Sequence, residues 1–291
     1  MPRRIIIYAT CQGHYLGNLL RAAPGLRGHT VDVHRNYGQP GTFQPPDIPD
    51  EDLEQCDLLV YHAVRNKAGE AAVHQLLQRL RPGTLRVAVP YVTSNLYWLL
   101  HYRNWTPLGV SPTKRYGLVP YRSEALDMLA DSGLPEDEVV RLYGALPIDE
   151  VLDVDAAEAE TFAYWDELDR REDGISVAPF LRERYRDEML FYMFNHPSKS
   201  VFRHMSDQVL ARLGLPRLPD EAMRGQDCGQ REMVPVHPGL ARRLGLRFVN
   251  DTTRYLVNGR MTGFEEYVRM YCRLRRQEAV ASAAATGGGV A

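Results

Sequence analysis

The stretch Ile5-Ile6-Ile7-Tyr8-Ala9-Thr10-Cys11-Gln12-Gly13-His14-Tyr15-Leu16-Gly17-Asn18-Leu19-Leu20 changes character at one point. Up to Ala9 it is an apolar, β-branched run of strand type; from Cys11 the apolar residues recur at helical spacing. A strand that turns directly into a helix points to an open α/β sheet, because parallel strands need crossover segments to join them. It also places Cys11 at a strand's carboxyl end, the edge where such sheets hold their ligands. The unpaired N–H groups of the helix's first turn favour a thiolate and suit a phosphate or an oxyanion equally. This reading predicts an accessible thiol of depressed pKa at Cys11, with Gly13 letting the backbone approach a ligand. A buried cysteine beside a turn glycine is the competing reading of the same residues.

Short apolar runs at 4–8, 30–34, 57–61 and 85–89 read as strands. A helical pattern ending near Gly25 separates the first two, and one over 68–80, closed by Pro82-Gly83, separates the last two. The alternation predicts an α/β fold with a small, parallel, doubly wound sheet. Residues 36–49, rich in Gly, Pro and Gln, read as loop. The strand ends then gather Cys11, Arg35-Asn36-Tyr37, Tyr61-His62-Ala63 and the segment from Pro90 to Asn95. Beyond about residue 100 the strand signal fades, and helices are expected over 124–129, 156–171, 179–193, 199–213 and 263–276. The expected organisation is a nucleophile-bearing α/β half at 1–115 and a mostly helical half at 116–278, packed together as one continuous domain. A tail of small residues at 279–291 is expected to be disordered.

Composition narrows the partners. A net charge of −2, with 44% hydrophobic and 25% charged residues, is that of a globular protein without the bulk charge that draws nucleic acid. The cysteines Cys11, Cys56, Cys228 and Cys272 are dispersed, with no spacing that suits a zinc site, so no structural metal is expected. No apolar run approaches the roughly 18 residues of a membrane span, and Met1-Pro2-Arg3-Arg4 leads straight into a strand. No integral membrane segment is expected, and the location expected is cytoplasmic, with reduced thiols. The arginine that cradles phosphate in a cysteine phosphatase loop is missing, since Gly17 stands there. There is also no G-x-G-x-x-G after the first strand, no G-x-x-x-x-G-K-[ST] and no G-x-S-x-G.

A second constellation is Phe194-Asn195-His196-Pro197-Ser198-Lys199. The pattern predicts a tight turn between two helices, with Ser198 capping the second and His196 aimed across a cleft at the Cys11 thiol. A helix-connecting turn whose histidine bonds a backbone carbonyl is the alternative. His14 lies one turn after Cys11, His62 ends the third strand, and Asn95 follows the fourth. With Gln12 and the N–H groups of Cys11 and Gly13, these are the candidates for ligand or oxyanion contact.

In the Cys11-Gln12-Gly13 corner, the helix carrying Leu16, Leu19 and Leu20, the 56–61 and 86–90 strands, and Asn195-His196-Pro197-Ser198, the chain resembles a known family. This is the WcbI-type capsular polysaccharide biosynthesis acetyltransferases, and the likeness spans residues 4–215. The resemblance implies a helix-rich relative of the SGNH hydrolases and acetyl transfer from acetyl-coenzyme A to a carbohydrate acceptor. Here Thr10 replaces the family's usual Asn before the cysteine, and His62 stands where a Gln is common. Arg65, Lys67, Lys199 and Arg203 are the basic residues placed to meet the coenzyme's phosphates. Either Cys11, activated by His196, takes the acyl group as a thioester, or His196 deprotonates the acceptor directly. A cysteine-based SGNH-like esterase and a carbohydrate- or coenzyme-binding protein without catalysis are the other readings.

Overall fold

Four runs form strands in the computed structural model: β1 (Arg4–Ala9), β2 (Thr30–Arg35), β3 (Cys56–His62) and β4 (Leu85–Val89). The structure describes residues 4–37, 47–62, 67–104, 106–110, 117–170, 173–226 and 232–287. The strands pair in parallel in the order β2-β1-β3-β4, with Ala9 opposite Arg35, Tyr8 opposite Tyr61 and His62 opposite Val89. Ile5, Ile6 and Ile7 are all inaccessible, which is why β1 reads as a continuous apolar run: both faces of the sheet are covered.

On one face lies α1 (Cys11–Ala22), which can approach because two of its residues have no side chain. A Cβ on Gly13 would meet Ala9 Cβ at 2.4 Å, and one on Gly17 would meet Val33 Cγ2 at 2.6 Å. On the other face α2 (Asp50–Glu54) and α3 (Lys67–Arg79) deliver Leu53, Val73 and Leu76 onto Ile6, Tyr8, Leu59, Tyr61 and Ala88. The crossover carrying α1 and the one carrying α3 thus use opposite faces, which makes the sheet doubly wound. The carboxyl edge between β1 and β3 is its switch point. The free edge of β4 is closed at Ala88, whose N–H donates to the Asp173 carbonyl at 2.8 Å and whose carbonyl accepts from Ile175 N–H at 3.1 Å.

The chain forms two compact units that interleave along the sequence instead of dividing near residue 115. The first comprises Met1–Thr93, Phe162–Arg184 and Asn195–Gly229; the second comprises Ser94–Thr161, Tyr185–Phe194 and Gln230–Ala291. Besides the sheet, the first unit holds the helix Lys199–Arg212, packed beside α1 with the rings of Tyr15 and Phe202 5.3 Å apart. The second unit is mostly helical. The long helix Phe264–Gly287 packs on Glu124–Asp131 and Glu136–Gly144, and a hairpin joins Tyr255–Val257 to Arg260–Thr262. Its turn, Asn258-Gly259, has φ of 52° and 78°, the left-handed pair that a two-residue hairpin turn requires.

Two expectations need correction. The helix expected over 179–193 ends at Arg184, and Phe191–Met193 is a strand. The last helix continues to Gly287 and so takes in much of the segment expected to be disordered; its alanines are the strongest helix formers.

Candidate functional site

Thr10 ends β1 and caps α1: its backbone is extended and its hydroxyl accepts from Gln12 N–H at 3.4 Å. Its own N–H donates to His62 Nδ1 at 3.1 Å, and its hydroxyl lies 3.0 Å from the same nitrogen. An accepting Nδ1 puts the imidazole proton on Nε2, so His62 is neutral; burial lowers its pKa to about 3. His62, at the end of β3, therefore clamps the turn that carries Cys11.

Gln12 performs a second clamp. Its amide exchanges bonds with Val92, accepting from the N–H at 3.1 Å and donating to the carbonyl at 2.8 Å, and it donates to the Asn195 carbonyl at 3.0 Å. The residue after Cys11 is thereby tied to the residue before His196. Gln12 holds the site together, and its amide is already occupied, which corrects the ligand or oxyanion role expected of it. Gly13 is likewise occupied: its N–H donates to the Thr10 carbonyl at 2.9 Å, and its missing side chain serves the contact with β1, not the approach of a ligand.

Cys11 is half-buried, whereas Cys56 and Cys272 are buried. Burial pushes its thiol pKa up. The Thr10 hydroxyl, the N–H groups of Gln12 and Cys11 and the charge of Arg35 pull the other way without overcoming it. The expected depression is thus reversed, because partial burial outweighs the helix terminus.

His196 lies in the short strand His196–Pro197 and not in a helix-to-helix turn. Its Nδ1 is 2.7 Å from Asn195 Oδ1, which can only accept, so the proton sits on Nδ1 and Nε2 carries the lone pair. Burial lowers its pKa to about 4 and keeps it neutral. Ser198 occupies the N-cap position of Lys199–Arg212, but its buried hydroxyl makes no cap bond.

His14 is exposed beside Tyr15, and Asn95 belongs to the second unit, where its carbonyl accepts Trp98 N–H at 2.8 Å to start a 3-10 turn. Arg203 is bonded to the Leu218 carbonyl and paired with Asp220, while Lys199 is half-exposed. Arg65, Cys228, the Ala63 end of its strand corner and the Lys67 side chain lie outside the described residues. No group of three His, Cys, Asp or Glu that could hold a metal occurs among the described residues, and no helix of theirs is long and apolar enough to cross a membrane. The orienting role of Asn195 was missed in the sequence; its position directly before His196 is the signal that could have found it.

Comparison with protein-family models gives a match to the polysaccharide biosynthesis enzyme WcbI over residues 4–218. Among solved structures, WcbI itself superposes with a TM-score of 0.66 at 18% identity, covering 97% of this chain and 93% of its own. It is described as a novel polysaccharide biosynthesis enzyme, in a native form without a disulfide bond between coenzyme A and a cysteine. A periplasmic metal-binding protein from Candidatus Liberibacter asiaticus aligns over 57% of this chain and 52% of its own at 12% identity, with a TM-score of only 0.21. A comparison with curated protein sequences finds no match.

Proposed function

The chain belongs to the WcbI family of polysaccharide biosynthesis enzymes, and we propose that its reaction is transfer of an acyl group, acetyl foremost, from a coenzyme A thioester to a sugar hydroxyl. The observation that carries this reading is the state of His196: a neutral imidazole, oriented by Asn195 through Nδ1, with a free Nε2 lone pair and tied through Asn195 and Gln12 to the Cys11 turn. That is the arrangement of a general base. The pairing of coenzyme A with a cysteine in the description of WcbI supports a coenzyme whose sulfur end is received near a cysteine, and Cys11 is the half-exposed one among those described.

In the direct route His196 Nε2 takes the hydroxyl proton as the sugar oxygen bonds to the thioester carbon. The C–S bond then breaks and the departing coenzyme thiolate recovers the proton. A thiol whose pKa is raised is protonated at neutral pH, which favours this route over a standing Cys11 thiolate. Cys11 then shapes the pocket for the coenzyme's sulfur.

The test is release of free coenzyme A from acetyl-coenzyme A by the purified chain, with and without a panel of neutral and acidic sugars. Release that depends on the sugar supports transfer. Release indifferent to sugar makes the chain a thioesterase, and no release with any acceptor ends the reading. Under the direct route Cys11→Ala retains sugar-dependent release and His196→Gln loses it.

A further inference from the structure

Acyl transfer builds negative charge on the carbonyl oxygen, and of the donors that the sequence suggested for it, the Gln12 amide and the Gly13 N–H are occupied. The Gln12 amide is bonded to Val92 and Asn195, the Gly13 N–H to the Thr10 carbonyl, and the Gln12 N–H to the Thr10 hydroxyl. Among the described residues of the first unit, Asn36, His62, Ser198 and Ser206 retain buried polar side-chain atoms with no partner. His62 presents Nδ1 to Thr10, so its orphaned Nε2 lies on the far side of the ring from the Cys11 turn. Ser198 and Ser206 are hydroxyls, which rotate to suit a neighbour.

Asn36 is different. It is 1% exposed, yet both ends of its amide are orphaned, a costly state that calls for an explanation. It follows β2 directly, and its N–H donates to the Ala9 carbonyl at 3.1 Å, which sets it level with Thr10 at the sheet's carboxyl edge. Arg35 beside it is exposed, has no ion pair among the described residues, and acts electrostatically on Cys11. The end of β2 therefore belongs to the Cys11 neighbourhood, and it carries an unused amide next to a cation without an ion pair among the described residues.

We propose that Asn36 is a further catalytic residue, its Nδ2 donating to the thioester carbonyl oxygen as charge develops there, with the Arg35 guanidinium adding positive field from the same corner. This rests on the acyl-transfer reading. As the sugar oxygen bonds to the carbonyl carbon, the C=O π pair moves onto the oxygen that Asn36 holds and the hydroxyl proton passes to His196. The pair then returns, the C–S bond breaks, and the coenzyme leaves as thiolate and takes the proton from His196; nothing is oxidised or reduced. An amide unpartnered in the free protein and satisfied by the reacting oxygen stabilises the transition state over the free enzyme.

Asn36→Leu removes the donor at similar volume, and Asn36→Asp keeps the shape while replacing the N–H donors with carboxylate acceptors whenever it is ionised. Both are expected to lower kcat for acetyl transfer by about 10²–10³-fold with KM for acetyl-coenzyme A changed by less than about threefold. The melting temperature of Asn36→Leu without ligand is expected to equal or exceed the wild type's, because the orphaned amide is gone. A kcat within about threefold of wild type in Asn36→Leu overturns the assignment and leaves acyl transfer standing. Melting temperatures lowered in both variants overturn it in favour of a structural role. A wild type that releases no coenzyme A with any sugar brings down both readings.

Discussion

A base is useful only in the protonation state that the pH leaves it. His196 is active as the neutral imidazole, and burial moves its pKa from 6.5 to about 4, so the active form persists well below neutrality. The expected profile of kcat/KM for acetyl transfer is flat from pH 8 to 6, with its acid limb approaching about 4. A limb centred near an ordinary histidine's pKa of about 6.5 would mean that another, exposed histidine is the base. His196→Gln is expected to lower kcat by about 10²–10⁴-fold. The raised pKa of Cys11 carries its own expectation: iodoacetamide alkylates Cys11 at pH 7 more slowly than it does a cysteine in an unstructured peptide. Faster alkylation would restore the activated nucleophile and the covalent route. At this scale the positions of Cys11 and His62 at strand ends were legible, because apolar runs mark where strands stop. The direction of the Cys11 shift was not, because the sequence displays the helix terminus but not the burial that competes with it.

The element on which the site depends is α1, and it is seated by two absent side chains. A Cβ on Gly13 would sit 2.4 Å from Ala9 Cβ, an atom fixed to the backbone of β1, whereas one on Gly17 would meet Val33 Cγ2 at 2.6 Å, an atom of a side chain that is stiff at χ1 yet one bond further from the backbone. Alanine gains up to about 1 kcal/mol of helix propensity over glycine at either position, but overpacking costs about 1–3 kcal/mol. Gly13→Ala is expected to destabilise by about 1–2 kcal/mol and to displace Cys11; Gly17→Ala is expected to be closer to neutral. Urea midpoints order the two, and a Gly13→Ala variant as stable as wild type would refute the seating argument. The sequence displayed the strand-to-helix change at Thr10 and Cys11, so β1, α1 and their succession were readable. It assigned Gly13 to a ligand because a glycine beside a nucleophile looks the same whether it admits a ligand or a strand. The helix expected over 179–193 failed for a related reason: Leu181, Tyr185 and Met189 recur four residues apart, as on a helix, but Tyr185, Leu190 and Phe191 are buried in tertiary contacts that periodicity does not encode.

Across the molecule, neutral buried histidines couple stability to pH. Burial lowers His62 and His101 to about 3 and His196 to about 4, and it lowers His237 as well. His62 and His196 belong to the first unit and His101 and His237 to the second, so both units carry the liability. Each group binds its proton more weakly when folded than when unfolded. The contribution is fully present above the unfolded pKa of about 6.5 and is lost as pH falls from there toward the folded value, with a slope of up to about 1.4 kcal/mol per pH unit per histidine. The urea midpoint is therefore expected to hold between pH 8 and 7 and to fall progressively between 6.5 and 4. His62→Gln isolates one term. A Gln amide oxygen accepts from Thr10 N–H as Nδ1 does, but it does not titrate, so the variant is expected to stay folded at pH 7 and to lose less stability than wild type on going to pH 5. Equal losses in variant and wild type would mean that His62 stays protonated or becomes hydrated without unfolding, and the clamp on the Cys11 turn would then rest on something other than a neutral imidazole.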